Sequence, residues 1–248
     1  MRSRLRRSAI TCILVLCLGL PTAAQQLDEH SWGKNTAGVE LGTHEDPRRS
    51  GPSGTLLMYN LLGKGFPAGK KYDLWFWKLG KAPQKLMQGV SFDKRGLLVC
   101  SGRPGECSGS VANDAVNIQA SAMAGEPKRF AVVSTDGSVA GFAEAVPFPI
   151  QASEQNCKLS VVRQAPLAET VLLRASGYPA REALSVTGNF KAESMPRNPT
   201  VSSDGTWQGL LETQTPGQRS GTTNIKVAGG GCAVSVSFLW GEGSGKQQ

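Results

Sequence analysis

From residue 54 onward, apolar residues fall at every second position in short runs separated by turn residues. The first series is Thr55–Leu62, Lys71–Leu79, Lys85–Phe92, Leu97–Cys100, Val116–Ala120, Arg129–Ser134 and Ala140–Ile150. A second opens at Cys157–Val162 and continues through Glu169–Ser176, Leu184–Phe190, Ser220–Val227 and Cys232–Phe238. Period two is the repeat of a strand with one buried face. Gly, Pro and Asp fill the gaps, and Asp136-Gly137 and Asp204-Gly205 are hairpin signals. Short, closely spaced strands with such turns predict an all-β sandwich architecture. Pro147 and Pro149 cannot donate to a ladder, which puts the last run of the first series at a sheet edge. Ser101–Asp114 reads as a Gly-rich excursion and Ala192–Pro199 as a loop.

The two series echo each other. Leu61-Leu62-Gly63-Lys64 enters Gly65-Phe66-Pro67-Ala68-Gly69, and Glu169–Ser176 enters Gly177-Tyr178-Pro179-Ala180. Gly tolerates positive φ and Pro fixes φ, so each pair bends the chain out of a strand. Further on, Val90-Ser91-Phe92-Asp93 is matched by Val201-Ser202-Ser203-Asp204. A period the size of a small domain points to tandem domains, not a solenoid. The Gly-aromatic-Pro bend, the hairpin Asp204-Gly205-Thr206-Trp207 and the late run Ser220–Val227 resemble bacterial immunoglobulin-like domains of the IPT/TIG and filamin-like branches. The resemblance covers Gly54–Ile150 and Cys157–Gly241. It implies two tandem immunoglobulin-like β-sandwich domains, and a spacer or binding role. The second copy departs at Arg181, where the family carries Gly.

The ends of the chain have a different composition. Arg2, Arg4, Arg6 and Arg7, the apolar run Ile10–Leu20 and the small residues to Ala24 read as a signal peptide over residues 1–24. Residues 25–53 are polar and aperiodic and read as a flexible lead-in, with a short strand at Gly38–Leu41. Gln151–Asn156 reads as a polar link and 242–248 as a flexible tail. Of the formal net charge of +8, four charges belong to the leader arginines, which removes the main support for nucleic-acid binding. The leader also takes Cys12 and Cys17. Cys100, Cys107, Cys157 and Cys232 remain, an even number in an exported chain, which reads as two disulfides with three possible pairings. In the family it resembles, first and last strands can lie side by side. That favours Cys157–Cys232, with Cys100–Cys107 closing a short loop. The expected location is secreted, periplasmic or cell-surface, with no transmembrane segment in the mature chain.

Catalytic sets are sparse. Both histidines, His30 and His44, lie in the lead-in, so residues 54–248 hold no imidazole for a triad or a metal. A His30/His44/Asp46 metal site competes with the plainer reading of solvated loop residues, and neither a metal nor a cofactor is expected. Paired-carboxylate chemistry would draw on Asp73, Glu126, Glu144, Glu193 and Glu212, which are scattered. Alternation in Tyr72–Trp77 puts Tyr72, Leu74 and Phe76 on one face and Trp75 and Trp77 on the other. Trp75 and Trp77 could then stack on a sugar or peptide, unless they pack under a loop or a second module. The charged turn Gly125–Arg129 offers Lys128 and Arg129 to an anionic ligand, against a purely solvated role. The expectation is an exported, non-enzymatic binding or structural protein for an extracellular protein or glycan. The rival is an extracellular polysaccharide hydrolase working through carboxylates.

Overall fold

The computed structural model describes residues 33–46, 49–51, 54–100, 115–191 and 199–246. The first half contains β1 (Glu40–Glu45), β2 (Arg49–Gly51), β3 (Gly54–Lys64), β4 (Tyr72–Trp77), β5 (Gln84–Phe92), β6 (Leu98–Val99), β7 (Ile118–Ala120), β8 (Lys128–Ser134) and β9 (Ala140–Ala145). One sheet runs β1-β3-β2, with β7 also on β3, and the other runs β6-β5-β4-β8-β9. Their inner faces close over Leu57, Tyr59, Leu61, Tyr72, Leu74 and Phe130. The second half contains β10 (Ile150–Glu154), β11 (Cys157–Arg163), β12 (Thr170–Ser176), β13 (Ser185–Gly188), β14 (Thr206–Glu212), β15 (Ser220–Gly229) and β16 (Cys232–Gly241). Sheets β10-β11-β12-β14 and β13-β15-β16 enclose a second core around Leu159, Leu173, Trp207, Phe238 and Trp240.

Both halves follow one plan. In each, the first, second and fourth principal strands pair as β1-β3-β7 and β11-β12-β14. In each, the remaining three pair as β4-β8-β9 and β13-β15-β16. This is the A-B-E against C-F-G order of an immunoglobulin-type sandwich. The Gly-aromatic-Pro bends show why the sequence repeats. Gly65 has φ +75° and Gly177 φ +80°. A Cβ on Gly65 would collide with the Gly38 carbonyl, just before the first strand of its sheet. A Cβ on Gly177 would collide with the Asn156 carbonyl at the matching place. The bend is a close backbone crossing that a side chain would block. Gly69 has φ +76°, and Arg181, its counterpart in the second copy, has φ +64°. The turn is therefore the same in both copies, held in the second by a residue that pays a steric penalty for it.

Cys157 and Cys232, at the starts of β11 and β16, are bonded to each other across a sequence separation of 75, with Cα atoms 6.2 Å apart. On a chain-entropy basis, closing a loop of that length stabilises by about 4 kcal/mol. Cys100 is disulfide-bonded, and Cys107, its expected partner, lies outside the described residues, as do the leader and most of the excursion after Cys100.

Three stretches differ from expectation. Residues 33–46 of the lead-in are ordered: β1 pairs with β3 from Glu40↔Lys64 to Glu45↔Tyr59, and Val39 and Leu41 are buried. The same segment covers the free edge of β9. The Ala140 amide donates to Thr36 Oγ1 at 2.9 Å and the Phe142 amide to Asn35 Oδ1 at 2.8 Å. Capping an open edge in this way blocks pairing with another chain. Ile150–Glu154, read as a module end and polar link, is the strand β10, laid along β11. Glu242–Lys246, read as tail, is a short 3-10 helix whose Ser244 is fully buried.

Replacing Arg181 with Gly should raise the unfolding free energy by roughly 1 kcal/mol in urea titration, by relieving the left-handed backbone. Gly177→Ala should lower it by at least as much.

Candidate functional site

Sheet register decides where each candidate residue goes. In β4, Tyr72 and Leu74 are fully buried, and the Phe76 ring lies 5.5 Å from Phe130, as alternation predicts. Asp73, Trp75 and Trp77 take the other face. Across the sheet Trp75 stands opposite Ala131, and Trp77 opposite Arg129. On β9 the next partners are Phe142 and Glu144. Trp75 is half-buried; Lys85 Nζ sits 5.1 Å from its ring centroid and 2.6 Å from the Asp73 carboxylate. Trp77 is only 6% exposed. An open pair of indoles is therefore not presented. Trp77 is closed off in the row whose Arg129 and Glu144 reach across to the second half.

That row leads to the junction between the sandwiches. Arg129 Nε donates to Glu144 Oε2 at 2.9 Å, and its Nη2 donates to Gln164 Oε1 at 3.1 Å. Arg174 Nη2 lies 2.9 Å from Glu144 Oε1, so one carboxylate ties a cation from each half. Below it, Lys128 Nζ donates to Glu126 Oε1 at 2.6 Å, with side chains 3% and 7% exposed. The other oxygen of Glu126 accepts the Met123 amide at 2.9 Å. Lys128 and Arg129 are thus not a solvated turn open to an anionic ligand; both are taken by carboxylates. The loop carrying them is joined to the second half through its backbone. Arg163 N donates to Gly125 O at 2.8 Å, and Gly125 N in turn donates to Phe148 O of its own half at 2.7 Å. Gly80 fits against the Pro166 ring where a Cβ would not.

Arg163 completes the junction. It is fully buried. Its Nη1 donates to Pro166 O at 3.2 Å and Ser244 Oγ at 3.3 Å, and its Nη2 to Ser244 O at 2.8 Å. Burial pushes the guanidinium below its ordinary value, and the charges of Glu126 and Glu169 oppose that shift. Sequence reasoning missed both buried cations, although the strand pattern marks them. Arg163 shares its parity with Cys157, Leu159 and Val161, and Lys128 shares its parity with Phe130 and Val132. A cation on the core parity of a strand requires a buried partner.

The described carboxylates suggested for hydrolysis each face a cation. Asp73 meets Lys85, Glu126 meets Lys128, Glu144 meets two arginines, and Glu212 meets Lys191 at 2.8 Å. Glu193 lies outside the described residues. A glycosidase instead needs two carboxyl groups facing one another across a cleft. A shallow depression of about 280 Å³ on the outer face of β13-β15-β16 is lined by Thr187, Asn224, Lys226, Ser235 and Ser237, with no carboxylate. His44 Nε2 is 3.9 Å from Asp46, and His30 lies outside the described residues. Among the described residues no group of three or more His, Cys, Asp or Glu is placed to hold a metal, and no helix is long and apolar enough to cross a membrane.

The Asp-Gly hairpins have a different role. Asp136 Oδ1 accepts Ser134 Oγ and the Ser138 amide, and its other oxygen takes Lys70 Nζ at 2.7 Å. Asp204 Oδ1 accepts Ser202 Oγ and the Thr206 amide. Both sequences read Ser-x-Asp-Gly-Ser/Thr, and both carboxylates close the turn. These donors hold Asp136 well below the usual carboxylate range, with Lys70 contributing most, and lower Asp204 for the same reason, with Ser202 first.

No protein-family model matches this sequence, and no curated protein matches it. Among solved structures the chain is similar to a tetra-tandem repeat in the extending region of a large adhesion protein. The identity is 13% and the TM-score 0.25, over 82% of this chain and 49% of that one. The chain thus spans about half of that structure's length, and at this TM-score the likeness carries no argument for function.

Lys128→Met should destabilise by about 3–5 kcal/mol, because it strands the Glu126 carboxylate in a dry site. Adding Glu126→Gln should recover most of that in chemical denaturation. A carboxylate whose folded pKa is depressed stabilises above its unfolded value and loses that contribution as pH falls through the folded one. Denaturation midpoints should therefore fall from about pH 4 downward. Asp136→Asn should lower the midpoint at pH 7 and flatten this acid limb.

Proposed function

We propose that this chain is an exported, non-enzymatic binding or structural protein. It consists of two immunoglobulin-like modules of the IPT/TIG or filamin-like kind, residues 33–149 and 150–246, clamped base to base. The observation that carries this reading is the junction: a buried ion pair, a buried arginine and a carboxylate shared between the halves. Glu144 with Arg174 and Arg129 with Gln164 tie one module to the other, while Lys128–Glu126 and Arg163–Ser244 each brace the facing end of one module. A tandem fixed in this way holds its outer loops at a set distance, as a spacer or presenting element does. The arginine-rich leader and the Cys157–Cys232 bond fit an oxidising compartment: periplasm, cell surface or medium. The partner is an extracellular protein or glycan.

Two measurements on the full chain expressed in a bacterium test this. Fractionation and N-terminal sequencing should find the protein outside the cytoplasm, starting at Gln25. Incubation with cell-wall and extracellular polysaccharides should release no reducing ends. A cytoplasmic, unprocessed product, or sugar release above buffer, would overturn the reading.

A further inference from the structure

The ends of the two modules farthest from the junction are built from the same loops but carry opposite charge. At the first tip the 93–96 turn lies beside β3 through a bond from Gly63 N to Gly96 O of 2.7 Å. Phe66 packs 4.3 Å from Phe92 and 5.4 Å from Tyr72, pinning the bend between two neighbouring strands. Lys70 meets Asp136 and Ser138, and Thr135 N donates to Lys71 O at 3.1 Å, bringing in the β8–β9 hairpin. Thr36 N bonds Ala140 O at 2.9 Å, bringing in the first described segment. These loops gather Lys34, Lys64, Lys70, Lys71, Lys94 and Arg95 against Glu40, Asp93 and Asp136, a surplus of three positive charges. All six cations except Lys70 are exposed. The matching loops of the second module, 151–158, 176–183, 202–205 and 228–232, carry Lys158 and Arg181 against Glu154, Glu182 and Asp204, a surplus of one negative charge. The fold needs neither balance, since it tolerates both.

We propose that the first tip binds an anionic polysaccharide. The inference rests on the exported binding role above and names its ligand class. Lys64, Lys70 and Arg95 reach Glu40, Asp136 and Asp93, which leaves the tip with a net surplus of exposed, spaced positive charge that suits a polymer of repeated acidic sugars. Its aromatic rings pack against one another, with Phe66 half-buried and Tyr72 fully buried, so no open platform exists for stacking nucleobases. Among the described residues Leu62 is a lone large exposed apolar side chain near this end, too little to enter a bilayer.

The test is retention of the exported chain on immobilised polygalacturonate and on dextran sulfate at 50 mM salt, with neutral dextran, duplex DNA and anionic phosphatidylglycerol vesicles beside them. Retention on one or both acidic polysaccharides, lost at 0.5 M salt, is expected. Preference between the two separates carboxylate from sulfate recognition. Lys94→Glu with Arg95→Glu, on an exposed turn, should weaken binding about tenfold or more through like-charge repulsion. Lys158→Glu, at the other tip, should leave it unchanged. Circular dichroism melts matching wild type would show that both variants fold. Equal retention on neutral dextran, stronger binding to DNA or vesicles, or an unaffected Lys94/Arg95 variant would overturn the proposal. Processed, exported protein that ignores both acidic polymers sinks this ligand class alone; cytoplasmic retention sinks the export reading beneath it.

Discussion

Removing an ammonium or a guanidinium from water costs several kcal/mol unless a partner of opposite charge and enough hydrogen bonds replace the hydration shell. This chain places both kinds of cation on the inward parity of strands, Lys128 on β8 and Arg163 on β11, at the ends of the sandwiches that face each other. Neither end can therefore be left open. Lys128 is neutralised by Glu126, whose second oxygen is fixed by the Met123 amide. Arg163 donates from Nη1 and Nη2 to Pro166 and to Ser244 of the 242–246 turn, while its buried Nε has no hydrogen-bond partner among the described residues. The last residues of the chain thus become part of the joint. Wells packed with Leu and Val could slide. Across the joint, Glu144 holds Arg174, Arg129 holds Gln164 and the Arg163 amide donates to Gly125 O, directional bonds that accept one arrangement of the two halves.

Duplication explains the rest of the frame. The bend glycines Gly65 and Gly177 cross the backbone just before the first strand of their sheets, at Gly38 and Asn156. That crossing positions the first strand against the second in both modules. Arg181 shows which part of the motif is geometric: its φ of +64° keeps the turn that Gly69 makes at φ +76°. The backbone path is preserved where the residue type is not. The covalent tie differs: the second module bonds its first strand to its last through Cys157 and Cys232. In the first, the edge of β9 is instead covered by Asn35 and Thr36.

How much of this could be read from the chain depends on what each residue reports. Alternation located β3, β4, β8, β12 and β16, because each buries one face against a core and its apolar residues repeat at period two, and it located β5 although a register shift there breaks the alternation. It found only the start of β1, at Gly38–Leu41, and missed β10. These are held mainly by backbone pairing, and each places few apolar side chains inward: Val39 and Leu41 at the first, Ile150 at the second. Polar composition was mistaken for lack of order. Alternation also assigned the outward face of Trp75 and Trp77 correctly, but a single strand carries no information about what lies over that face. At the junction Lys128–Glu126 is a local pair, but Arg129 meets Glu144 15 positions on and Gln164 35 positions on, and Arg163 meets Ser244 81 positions on. Composition shows such charges as surface; only the inward parity of Lys128 and Arg163 hints otherwise.

A joint that consumes its charges leaves the outer loops free of structural duty. Bend, hairpin and turn must keep their backbone paths, yet their exposed side chains touch little. Gly69 would meet nothing if it carried a Cβ, and Lys94 and Arg95 are exposed on a turn that the Asp93 carboxylate closes by accepting the Arg95 and Leu97 amides and the Arg95 guanidinium. Such positions can change charge at small cost in stability, and recognition on a rigid scaffold concentrates in loops of this kind. The two tips, alike in path and opposite in sign, show that freedom used in different directions. The base-to-base joint sends them to opposite ends of the molecule, so whatever one tip holds is kept apart from the other by the combined length of two sandwiches.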